Sequence, residues 1–95
     1  MMFEEKAVDV IWGLSKIAIR YEKDLMFSRK VKKLQKEICN NRSSTYDSLQ
    51  KASKLKMCEV VDVCTLLESR GATRVVKSDS CEIFQIRVID KLKFL

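Results

Sequence analysis

The chain has no proline and no histidine, and glycine occurs only at Gly13 and Gly71. With so little punctuation, helices are free to run long. Without histidine, acid–base chemistry near neutral pH loses its commonest group. The four cysteines, Cys39, Cys58, Cys64 and Cys81, form no CxxC pair and have no histidine to complete a zinc site. Two glycines so far apart cannot build a GxxxxGK[ST] phosphate loop. No window approaches the roughly 18 to 20 apolar residues that a membrane span needs. Glu4 and Glu5 stand where a secretory signal would carry bases. These absences point to a non-catalytic chain that lives in water inside a cell, with no metal, no cofactor and no small-molecule substrate. Nothing signals secretion, so the cysteines are expected to be free thiols packed as small hydrophobes.

What is present is the composition of a soluble globular protein: 95 residues, 46% hydrophobic and 34% charged. That length supports one core, so residues 1–95 are read as a single domain. Nineteen Lys and Arg against thirteen Asp and Glu give +6, spread evenly over the two halves. Such a balance suits a polyanionic partner and suits plain solubility equally well.

Periodicity divides the chain. Phe3, Ala7, Val10, Ile11, Leu14, Ile17, Ala18 and Tyr21 line one face of a first helix. A second stripe, Val8, Trp12 and Ile19, lies on a neighbouring face and reads as core or as a docking surface. Leu25 to Phe27 reads as a brief strand or turn before Ser28, which is placed to cap a helix carrying Val31, Leu34 and Ile38. Arg42 to Ser48 reads as a polar loop, with Tyr46 and Leu49 able to tuck inward. A third helix runs from about Leu55 to Arg70, stopped by Gly71. Thr73–Lys77 and Glu82–Ile89 then flank a turn, the second run alternating Phe84, Ile86 and Val88 against Gln85 and Arg87, as a hairpin with one buried face does. Asp90 to Leu95 either begins another helix or extends the strand. The expected fold is therefore α+β and helix-rich, a three-helix bundle with a C-terminal β-hairpin in the winged helix-turn-helix order.

The charged residues nominate two surfaces. Arg29, Lys30, Lys32, Lys33 and Lys36 share the outer side of the second helix; Lys51, Lys54 and Lys56 precede the third, and Arg74 and Lys77 lie on the wing. Together they read either as a plain solvated face or as a candidate nucleic-acid surface acting through phosphates. The third helix carries Glu59, Asp62, Thr65, Glu68 and Ser69 where a helix reading base edges would present Arg, Lys, Asn or Gln. Base readout by its body is disfavoured, and Trp12, Glu59 and Asp62 become candidates for docking a protein partner.

Val60-Val-Asp-Val-Cys-Thr-Leu-Leu-Glu-Ser-Arg-Gly71, followed by a hairpin ending in Ile83-Phe-Gln-Ile-Arg-Val-Ile89, resembles the C-terminal winged-helix domain of the eukaryotic origin-licensing ATPases. These are the cell division control protein and the large subunit of the origin recognition complex. The element order is similar over roughly residues 7 to 90, and Leu66 to Gly71 is its most specific stretch. The resemblance implies a nuclear winged domain of a larger protein that contacts duplex DNA and neighbouring replication-complex subunits. By position, the third helix and the Arg74 to Lys77 strand would be its contact elements.

Overall fold

The computed structural model describes residues 15–41, 43–77 and 84–95. Residues 15–23 are helical (α1), followed by α2 (Leu25–Asn40), α3 (Tyr46–Ser53) and α4 (Met57–Ser69), a hairpin of β1 (Thr73–Lys77) and β2 (Phe84–Val88), and a 3₁₀ turn at Lys91–Lys93. The architecture is helix-rich α+β, with one antiparallel hairpin among the described residues. No helix among them is long and apolar enough to cross a membrane.

The first correction concerns the start of α2. Leu25 to Phe27 is helical, and the cap is Asp24 instead of Ser28, its Oδ1 accepting from the Phe27 N–H at 3.1 Å. Starting a turn earlier brings Phe27 into the buried stripe, which then runs Phe27, Val31, Leu34 and Ile38 at steps of four, three and four. The second correction is α3, placed where a polar loop was expected. Thr45 Oγ1 accepts from Ser48 N–H at 3.2 Å while Ser48 Oγ accepts from Thr45 N–H at 3.1 Å, a reciprocal cap with serine in the position glutamate usually holds. Leu49 then drops into the core and Tyr46 packs against it.

Between Ser53 and Met57 the chain turns in three residues. Lys54 takes the left-handed conformation, φ 61°, and its N–H donates to Gln50 O at 2.8 Å. Buried Ser53 braces the corner: its Oγ donates to Leu49 O and accepts from Leu55 N–H. At the far end α4 stops as expected, with Gly71 at φ 78° and Ala72 N–H returning to Leu67 O.

The hairpin pairs Thr73 with Val88, Val75 with Ile86 and Lys77 with Phe84. On its other edge Ile86 also meets Ser44: Ser44 N–H donates to Ile86 O at 3.0 Å and Ile86 N–H to Ser44 O at 2.7 Å. The linker between α2 and α3 thereby becomes a short third rung of the sheet. Ile86 is fully buried beneath it. Phe84, expected on the same buried face, is 46% exposed and lies near Tyr46, ring centroids 6.5 Å apart. The last residues neither lengthen the strand nor form an α-helix; after the 3₁₀ turn, buried Gln35 brackets the Leu95 backbone, accepting from its N–H at 2.6 Å and donating to its carbonyl at 3.4 Å.

A single buried cluster joins Ile17 of α1 to Phe27, Val31, Leu34, Leu49, Leu55, Val60, Val63, Leu67 and Ile86. Ile19 lies outside it, 51% exposed, so the expected core stripe through that residue does not form there; Val8 and Trp12 lie outside the described residues. Leu34→Ala is expected to lower unfolding free energy by about 2–5 kcal/mol, as removal of a fully buried leucine does. Urea unfolding checks it, the midpoint falling with little change in slope.

Candidate functional site

Burying Phe27, Val31, Leu34 and Ile38 forces the intervening bases outward. Arg29, Lys32, Lys33 and Lys36 are exposed and Lys30 half-buried. Packing of α3 on α2 then carries the Ser53–Lys54 corner up to the start of this row. The result is a cleft of about 490 Å³ lined by Met26, Arg29, Lys30, Lys32, Lys33, Ser53 and Lys54. Two basic groups separate in sequence thus meet in one concave place. Lys36, Lys51 and Lys56 are exposed outside this lining, and Arg74 and Lys77 are exposed on β1.

The charge in the cleft is uncompensated. Arg20 pairs with Asp24 at 3.7 Å and with Glu59, and no carboxylate among the described residues lines the cleft. Five like charges line one cleft, and like charges closer than the screening length of about 8 Å in physiological salt repel one another. A bound anion relieves that repulsion. The hairpin repeats the pattern on a smaller scale, since Arg74 stands directly opposite Arg87, and like charges in that position are unfavourable. Arg87 was legible only as a wet-face residue; its role in a basic pair comes from the register.

Glu59, expected at a docking surface, makes contacts within the chain. Its Oε1 accepts from Lys56 N–H at 3.0 Å, closing the first turn of α4, and its Oε2 accepts from Arg20 Nη1. The Arg20 guanidinium also lies over the Phe27 ring, 4.2 Å from its centroid. One arginine therefore ties α1 to α2 and α4, and the Glu59 carboxylate is spent on that tie, its side chain only 14% exposed. Asp62 remains exposed, in company with Cys58, Val61, Thr65, Glu68 and Ser69 on the outer side of α4. That side carries no Arg, Lys, Asn or Gln. Trp12, the third docking candidate, lies outside the described residues.

The cysteines divide in the same way between inside and outside. Cys39, Cys58 and Cys64 are free thiols; Cys64 is buried, Cys39 half-buried, and Cys58 is exposed, contrary to the expectation of a packed small hydrophobe. Burial, helped by the nearby Glu68 charge, pushes the Cys64 thiol up to about 12. It stays protonated well beyond the pH at which an ordinary thiol ionises.

Two outcomes follow from these contacts. Glu59→Gln is expected to cost about 1 kcal/mol of stability, the usual scale for a weakened helix cap, without changing the charge of the cleft; thermal unfolding checks it. In single-cysteine variants at pH 8, a disulfide reagent is expected to label Cys58 rapidly in the folded protein and Cys64 only on unfolding.

No family model, curated protein or solved structure matches the chain.

Proposed function

We propose that this chain is a non-catalytic winged-helix module that binds the phosphate backbone of duplex DNA, with little discrimination between sequences, as part of an origin-licensing assembly. The observation that carries the binding is the cleft, where Lys54 joins Arg29, Lys30, Lys32 and Lys33 with no carboxylate among them. Backbone binding needs cations without counter-ions, and these are such cations.

The order of elements supports the fold assignment. From α2 onward it runs helix, a rung at Ser44, helix, a three-residue turn, helix, then a hairpin whose second strand pairs with both the first strand and the rung. A winged helix is built in that order, the turn joining the two helices of its helix-turn-helix. In this reading α3 and α4 are the helix-turn-helix pair and α1 precedes the motif. The resemblance of Val60 to Gly71 and the following hairpin to the licensing ATPases supplies the biological setting, together with a nuclear location and neighbouring replication subunits as partners.

Weak sequence discrimination follows from α4. The helix that would enter the major groove presents Asp62, Thr65 and Glu68, so it offers base edges no bidentate donor and repels phosphates along its body. Its start is different, because Lys54 and Lys56 flank it there, exposed. Contact is therefore made by the cleft, the start of α4 and the hairpin bases Arg74, Lys77 and Arg87. The competing idea, protein docking through Glu59 and Asp62, is weakened by the commitment of Glu59 to Arg20 and Lys56.

Fluorescence anisotropy with a labelled duplex tests the reading. Affinity is expected to fall steeply with salt, each lost phosphate contact lowering the logarithmic slope by about 0.9, and a scrambled sequence is expected to bind equally. The combined change Lys30→Glu, Lys33→Glu and Lys54→Glu is expected to abolish binding, and adding Lys77→Glu to an intact cleft to weaken it. Lys54→Gly separates function from folding: it relieves a left-handed lysine, raising stability by about 0.5–1 kcal/mol, while removing a cation and weakening binding. Absence of binding at about 50 mM salt, or charge-reversed variants that bind as the parent does, would overturn the proposal.

A further inference from the structure

Duplex backbone alone does not account for the shape of the cleft. A duplex offers phosphates on a convex rail with its bases stacked inside, and a flat or ridged basic surface is enough to meet it. Here the cations ring a concavity of about 490 Å³, within the range of roughly 300–1,000 Å³ that holds small organic ligands. Its lining is largely apolar in character. Met26 is part of it at 61% exposure, and the lysines add their methylene stems. Arg29 contributes a planar guanidinium to the same lining, and Lys54 joins it from the α3 corner.

Such a combination suits one chemical unit, an anion joined to a flat apolar ring. A methionine sulfur packs favourably against aromatic rings, and a guanidinium plane stacks on a nucleobase while its charge serves the adjoining phosphate. We infer that the cleft seats one unpaired nucleotide of a DNA strand, with its base between Met26 and Arg29 and its phosphates on Lys30, Lys33 and Lys54. The inference rests on the nucleic-acid reading above and adds a substrate class to it: the preferred ligand is a duplex that carries an unpaired strand at one end. The duplex backbone runs along the same basic rim and the bases beyond it, and the unpaired base fills a space that closed duplex leaves empty. Met26 is a specificity residue for that ligand and contributes nothing to blunt duplex.

The test compares four labelled ligands on the full chain at one salt concentration: a blunt duplex, the same duplex with a short unpaired tail, the same duplex with a tail of abasic sugar-phosphates, and anionic phosphatidylserine vesicles. The natural tail is expected to tighten binding about five- to tenfold over the blunt duplex, the lower part of the range that seating one base provides, and the abasic tail to give less than half of that gain. Met26→Ala is expected to remove the gain while blunt-duplex affinity stays within twofold, since Met26 is exposed and uncharged, and Arg29→Lys, which keeps the charge but loses the flat guanidinium, is expected to lower the ratio of tailed to blunt affinity. Equal gains from natural and abasic tails would overturn the inference, leaving phosphate binding intact. So would a gain that survives Met26→Ala. Failure of all DNA ligands to bind would overturn this inference and the underlying function together, and binding to the vesicles alone would do the same in favour of a lipid surface.

Discussion

The inward stripe of α2 is the constraint on which the rest of the molecule depends. Phe27, Val31, Leu34 and Ile38 occupy one side of the helix and are buried almost completely, in one cluster with Ile17 of α1, Leu49 of α3, Val60 to Leu67 of α4 and Ile86 of β2. A helix interleaved with five bases has no freedom once that side is fixed. Its Arg and Lys side chains must face out, and they do so as a contiguous row. The placement of the domain's basic surface is thus a consequence of its core, since the register that buries the stripe also sets where the bases stand.

Opposite charge is handled differently. The acids that approach the interior are used for construction: Asp24 caps α2 and meets Arg20, Glu59 caps α4 and meets Arg20 again, and Asp90 accepts from Leu92 N–H at the final turn. Caps and short-range pairs of this kind tie helix ends to neighbours. In the cleft the bases meet no carboxylate among the described residues, and across the hairpin Arg74 stands opposite Arg87. A domain with a modest net charge of +6 can therefore present a locally strong positive field, because no carboxylate among the described residues lines the cleft.

Much of the fold was legible in the sequence, and the misses have physical reasons. The long stripe of α4, its stop at Gly71 and the strands that follow are strongly periodic or strongly punctuated, and they stand where periodicity put them. α3 was missed because its eight residues bury few side chains and its N-terminal signal is Thr45-x-x-Ser48, with serine replacing the longer acid or amide. Recognising that box would have found it. Asp24 was overlooked as a cap because Ser28 offered the same chemistry four residues later, and only the burial of Phe27 decides between them. Of the binding residues, the α2 bases could be seen on a helical wheel, but their meeting with Lys54 depends on how α3 packs, and the Arg74–Arg87 opposition depends on strand register. Tertiary distance of that kind leaves no mark on a single sequence.

The position of the binding surface is the central claim, and amide chemical-shift mapping during titration with a short tailed duplex tests it most directly. Shifts concentrated at Met26 to Lys33 and at Ser53 to Lys56, with smaller ones at Arg74 and Arg87 and little change from Asp62 to Ser69, are the predicted pattern. Shifts centred on the outer side of α4, with the α2 row unmoved, would contradict it.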